Sequence, residues 1–155
     1  MQVASHWVTA SIIAALVVVG LWILKKRLEV VFIASLTSVA GLAIWLLKEL
    51  ISRPHPSGEL VQLLSESWGL SFPSGHATCA VVFCGFLFYL APRLVKQPAV
   101  IGILRFLLIA LILLTGTSRI YLGVHWTSDV LGGLFLGGLI LYPAIVLHNK
   151  RGKNA

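Results

Sequence analysis

Three short stretches of this chain carry side chains that do chemistry. In Ser118-Arg119-Ile120-Tyr121-Leu122-Gly123-Val124-His125-Trp126-Thr127-Ser128-Asp129, His125 and Asp129 stand four apart, the spacing that places two side chains on one face of a helix. A carboxylate that accepts from one imidazole nitrogen leaves the other free and basic, so the pair suits a nucleophile or a general base. The same spacing also serves an ordinary ion pair at a helix start, with His125 or Arg119 as the partner of Asp129. A metal site ranks lower, because no third ligand follows at a recognised spacing such as His-Glu-x-x-His. In Phe72-Pro73-Ser74-Gly75-His76, Pro and Ser are common helix openers, and a plain N-cap and turn accounts for them. The exposed N–H groups of such a start also bind phosphate oxygens; Gly75 allows close approach, and His76 is placed to protonate a leaving oxygen. The third stretch holds Lys48, Arg53 and His55, with Pro54 and Pro56 beside them. Singly, these read as a snorkelling lysine and a solvated loop. With His76, Arg119, His125 and Asp129 they make a cluster of bases, histidines and one acid suited to an anion, above all a phosphate.

The elements that must position these residues are membrane helices. Of 155 residues, 58% are hydrophobic and 11% charged, a charge deficit that excludes an ordinary soluble domain and excludes disorder. The net charge of +7 does not point to nucleic acid, because the basic residues sit in short clusters between apolar runs with no interleaved aromatic face. Five runs approach the roughly 20 apolar residues that a spanning helix needs, at about residues 7–24, 30–47, 74–91, 99–117 and 130–147. The third is the weakest, its uncharged part beginning at Ala77. The expected fold is therefore all-α, a five-helix integral membrane bundle forming one domain over residues 1–155. Parity puts Lys25, Lys26, Arg27, Arg93, Lys96, Lys150, Arg151 and Lys153 on one side, and Lys48, Arg53 and Arg119 on the other. Arg105 lies inside the fourth run and can snorkel. The positive-inside rule makes the richer side cytoplasmic, with the N-terminus outside, the C-terminus inside, and every chemical residue above at the extracytoplasmic face. The first run is retained as a span, since Lys25, Lys26 and Arg27 follow it and no basic n-region precedes it.

Taken in order, the three stretches resemble the signature of the type 2 phosphatidic acid phosphatase family of membrane lipid phosphate phosphatases. Pro-Ser-Gly-His is matched in full at residues 73–76, and Ser-Arg-x3-Gly-x-His-x3-Asp in full at 118–129. The resemblance covers roughly residues 30–147. It implies that His125 attacks phosphorus to give a phosphohistidine, that Asp129 orients it, and that His76 protonates the leaving lipid oxygen before water releases phosphate. It further implies that Lys48, Ser74, Gly75 and Arg119 hold the phosphoryl oxygens, with no metal and no cofactor. Substrates implied are undecaprenyl pyrophosphate, phosphatidylglycerol phosphate and phosphatidic acid, in the membrane; no soluble partner is implied. Two departures stand out. The family's Lys-x6-Arg-Pro places His55, not arginine, at its Arg position, while Arg53 with Pro54 falls two residues early. A permanently charged fork suits phosphate better than a histidine that titrates near pH 6.5, so Arg53 is preferred for that role. The family commonly has six helices, and five here imply that the first is missing.

Other features carry less. Cys79 and Cys84 lie five apart in one apolar run, too far along a helix for a disulfide, and read as small buried residues. Gly133 and Gly137 form a GxxxG pattern, more often close packing within a bundle than a dimer contact. Residues 59–70, with Trp68, suggest a short surface helix beside the site that gates lipid access. His6 and His148 are assigned nothing. Two rivals remain, an anion or lipid transporter or binding protein lined by Lys48, Arg119 and Asp129, and a catalytically inactive structural relative. No inverted repeat supports the first, and only the displaced arginine encourages the second.

Overall fold

The computed structural model describes residues 2–58, 64 and 69–152. Five helices follow in order, α1 Gln2–Ile23, α2 Arg27–Ile51, α3 Gly75–Leu94, α4 Pro98–Tyr121 and α5 Thr127–Gly152. No strand occurs among the described residues. Each expected run is a helix, but most run longer than their apolar parts. α2 continues through Lys48 to Ile51, α4 through Arg119 to Tyr121, and α5 starts at Thr127. The reason is physical: hydrophobicity marks only what lies in lipid, while Lys, Glu and Arg are good helix formers and carry the helix past it. Four of the five are long and apolar enough to cross a membrane; in α1 the apolar stretch with described side chains is the shorter Ile12–Ile23. The surface helix expected at 59–70 falls mainly on residues 59–63 and 65–68, outside the described residues.

α3 is the hub. It packs against α2, α4 and α5, and of the four spanning helices it buries the largest share of its surface. That explains its weak apolar signal, since a helix facing protein on most sides needs less lipid-compatible surface. Phe32, Ile33, Leu36 and Ala40 of α2 meet Val82, Phe86 and Leu90 of α3 in the core, with the Phe32 and Phe86 rings stacked at 6.1 Å. Large apolar side chains on the other faces point outward, Phe106, Phe135 and Tyr142 each about 70% exposed, as a surface solvated by acyl chains requires. Glycines let α5 approach α3. A Cβ at Gly133 would sit 2.6 Å from the Ser74 carbonyl oxygen, and one at Gly137 would sit 2.7 Å from Val81 Cβ. The GxxxG pair thus serves packing inside the bundle.

The end of the bundle away from the chemical residues holds one group that sequence reasoning left unassigned. His148 is buried, its Nδ1 3.0 Å from the Tyr89 hydroxyl and its ring met edge-on by Phe32, Phe86 and Tyr89. Nearby, Arg93 lies over the Tyr89 ring and donates to Asn149 Oδ1 at 2.9 Å, tying α3 to α5. Cys79 and Cys84 are free and half-buried.

Candidate active site

At the other end, the residues after α2 are bound back onto the turn between α4 and α5. Ser52 closes α2 in the left-handed conformation, donating its N–H to the Lys48 carbonyl. The connection then runs alongside the turn. The Pro54 carbonyl accepts from Trp126 Nε1 at 3.2 Å, and His55 Nδ1 bonds the Val124 carbonyl oxygen. A carbonyl only accepts, so His55 Nδ1 carries a proton. Its Nε2 is buried without a hydrogen-bond partner. Gly123 supplies the turn's left-handed backbone at φ 71°, and the Val124 N–H returns to the Arg119 carbonyl at 3.2 Å.

Asp129 sits in the first turn of α5 with no exposed surface. A buried carboxylate is tolerated only when donors surround it, and here they come from three segments. Arg53 Nη1 donates to Oδ1 at 2.9 Å, and also to Ser128 Oγ at 2.7 Å. The Trp126 N–H donates to Oδ2 at 2.9 Å, one half of a capping box. The Ser71 hydroxyl donates to the same Oδ2. Ser71 is itself held by its N–H on the Arg53 carbonyl at 2.7 Å.

The spacing of four predicts that His125 and Asp129 share one helix face. α5 begins only at Thr127, so His125 belongs to the turn before it. The two side chains still meet, with Nδ1 3.6 Å from Asp129 Oδ2. Ser71 Oγ is nearer, at 3.3 Å from the same nitrogen. The His55 ring lies 5.0 Å from the His125 ring, centroid to centroid. Burial above all, then the neighbouring charge of His55 and less that of Lys48, push His125 down to about 4, against the upward pull of Asp129. Its imidazole is therefore neutral and nucleophilic at neutral pH.

The start of α3 closes the site. The Ser74 N–H donates to the Asp129 carbonyl at 3.0 Å, docking the two helix starts together. Ser74 Oγ is fully buried and has no hydrogen-bond partner. Gly75 and His76 follow in the first turn of α3. Lys48 in the last turn of α2 donates its ammonium to the Leu70 carbonyl. Arg119 in the last turn of α4 donates Nε to Ser118 Oγ at 3.3 Å. The structure thus joins Arg53, His55, Ser74, His125 and Asp129 through direct contacts, with Lys48 acting on His125 through its charge. Gly75, His76 and Arg119 stand at the helix ends around them. Arg53, preferred from the sequence as a phosphate ligand, has one amine committed to Asp129 and Ser128, while the His55 ring lies beside that of His125. Sequence reasoning missed Ser71, Ser128 and the Trp126 N–H. Ser71 and Ser128 act through contacts across the fold that carry no spacing signal, whereas the Trp126 N–H reaches Asp129 over the local three-residue spacing of a capping box.

Comparison with known proteins places this arrangement among relatives. The model of the PAP2 superfamily matches residues 28–153. Phosphatidylglycerophosphatase B of Bacillus subtilis is 33% identical over 145 residues, covering 89% of this chain and 68% of that one. Undecaprenyl-diphosphatase BcrC of the same organism is 31% identical over 132 residues, covering 81% and 63%. The chain thus spans about two thirds of the length of these relatives. Among solved structures, a transmembrane PAP2 type phosphatidylglycerolphosphate phosphatase from Bacillus subtilis superposes with a TM-score of 0.74 at 28% identity, over 90% of this chain and 70% of that one.

Proposed function

The chain belongs to the PAP2 superfamily, and on that premise we propose that it is a membrane lipid phosphate phosphatase with His125 as its nucleophile. Phosphatase is the class that the curated relatives and the solved neighbour carry in their names. One observation carries the assignment of roles. A neutral, buried His125 lies in a site where two other buried polar atoms, Ser74 Oγ and His55 Nε2, have no partner. Buried polar atoms are rarely left so, because each unmade bond costs about 1–3 kcal/mol. Both can donate to phosphoryl oxygens, Ser74 through its hydroxyl and His55 through the Nε2–H of its imidazolium form.

The reaction then follows. His125 Nε2 attacks phosphorus, the N–P bond forming as the bond to the lipid oxygen breaks, and His76 gives that oxygen its proton. Water next attacks the phosphohistidine, its proton passing to His76, and the N–P bond breaks to release phosphate. Lys48, Arg119, Ser74 and the Gly75 N–H hold the equatorial oxygens where negative charge concentrates. His55 takes the phosphate-facing position, and Arg53 secures Asp129 behind the nucleophile. The substrate is a lipid phosphate or pyrophosphate of the kinds that the family resemblance implies, undecaprenyl pyrophosphate, phosphatidylglycerol phosphate or phosphatidic acid. The charge bias between the two helix ends supports an extracytoplasmic site.

The test is phosphate release from these three lipids in detergent with chelator, for wild type and His125→Ala. The expected result is release that survives chelator and disappears in the variant. Release retained by a folded His125→Ala protein would remove His125 from the nucleophile role.

A further inference from the structure

We infer that Ser71 is a positioning residue for the nucleophile, its hydroxyl standing between Asp129 and His125 and fixing which imidazole nitrogen attacks. The inference rests on the reading of His125 as nucleophile and adds a residue to it. The argument is one of donors and acceptors. Asp129 Oδ2 as a carboxylate oxygen can only accept, so the Ser71 hydroxyl donates its single proton there. The lone pairs left on Ser71 Oγ face His125 Nδ1 at 3.3 Å. An oxygen whose proton is already committed can only accept from that nitrogen. His125 therefore holds its proton on Nδ1, and Nε2 keeps the lone pair that attack on phosphorus requires.

Geometry gives Ser71 this place ahead of a direct contact between His125 and Asp129. The His125 Nδ1 to Asp129 Oδ2 separation is 3.6 Å, beyond hydrogen-bond range. Oδ2 already receives the Trp126 N–H at 2.9 Å as well as Ser71. Ser71 has no freedom to turn away. It is fully buried, and its N–H is anchored on the carbonyl of Arg53, whose own Nη1 grips the other carboxylate oxygen. One loop of contacts, from Arg53 through Ser71 to Asp129 and back to Arg53, thus holds the hydroxyl against the ring.

The experiment combines kinetics with the tautomer read directly. In full-length protein labelled with 15N-histidine in detergent, the His125 ring signals are assigned by their loss in His125→Ala. The expected wild-type pattern is a protonated Nδ1 and a bare Nε2. Ser71→Ala is expected to divide the ring between tautomers and to lower kcat about 10–100-fold, the range for residues that orient a ligating or reacting histidine, with KM unchanged. An unchanged kcat in Ser71→Ala, or a lowered kcat with the tautomer unaltered, overturns the inference. So does a wild-type His125 with its proton on Nε2, a measurement that needs no variant to fold. Phosphohistidine trapped by acid quench separates the two readings. If wild type forms none and His125→Ala still turns over lipid, the nucleophile assignment has failed. If wild type forms it and Ser71→Ala forms it equally fast, only the role of Ser71 has.

Discussion

Asp129 lies wholly buried with donors from three segments on its two oxygens, and its replacement by Asn measures what that arrangement does. The amide brings its own donor to a place ringed by donors, so one of Arg53, Ser71 or Trp126 loses its acceptor and the His125 tautomer is no longer set. We expect Asp129→Asn to lower kcat by about 10^3 to 10^4-fold, as loss of an orienting acid does elsewhere, with lipid binding little changed. A kcat within tenfold of wild type would argue against it. The acid limb of activity belongs to His125. Attack needs the neutral ring, and a histidine lowered to about 4 stays neutral until the pH falls that far. Activity that depends on this group is therefore intact above pH 5 and lost through pH 4, a limb that kcat/KM against pH reports for the free enzyme. Lys48 and His55, both close by, hold that limb down. His55→Arg tests the proposed phosphate-facing position by placing a permanent charge there. The expected outcome is a lower KM for lipid phosphate in the folded variant. An unchanged or raised KM would count against the phosphate-facing role.

At the scale of elements, the two helix starts that carry Ser74 and Asp129 are held together by glycine. A methyl at Gly133 would collide with the Ser74 carbonyl and with Ala77 Cβ, at 2.6 and 3.0 Å, whereas one at Gly138 meets nothing within 4 Å. Gly133→Ala is expected to destabilise by about 1–3 kcal/mol, the usual cost of overpacking, and to reduce turnover by pushing α5 off the start of α3. Gly138→Ala should leave both unchanged or raise stability by up to about 1 kcal/mol through helix propensity. Thermal unfolding in detergent alongside turnover checks the pair. The helices were legible in the sequence because a stretch of about 20 apolar residues has few other destinations. Their ends were not, because Lys48, Arg119 and Thr127 are polar yet continue or open helices. The motif residues His76, His125 and Asp129 were legible from type and spacing. The route of residues 52–58 and 69–74 was not: that Arg53 reaches Asp129, or that Ser71 lies under His125, depends on how the connection folds over the α4–α5 turn. No local pattern encodes a contact between residues some 50 to 75 positions apart.

For the molecule as a whole, the chemical residues gather at one end of the bundle, and Lys25, Lys26 and Lys96 in the turns, with Arg27 and Arg93 at the adjoining helix ends, lie at the other. The proposed orientation is checked with single cysteines in a Cys79→Ala, Cys84→Ala background. Ser57 and Lys96 are both exposed and stand at opposite ends. A membrane-impermeant maleimide on intact cells should label Ser57→Cys, and should label Lys96→Cys only after lysis. The reverse pattern would put the site on the cytoplasmic side. The order of the parts along the chain has a further consequence. Lys48, His55, Ser71 and Ser74 all precede α4, while His125 and Asp129 arrive only with the turn into α5. During synthesis the proposed phosphate cradle therefore leaves the ribosome well before the proposed nucleophile and the carboxylate that the cradle is built around. On the proposed roles, a nascent chain halted after α4 contains every residue that grips a phosphate and lacks the one that attacks it, so hydrolysis is expected only once the final helix has been inserted beside α3.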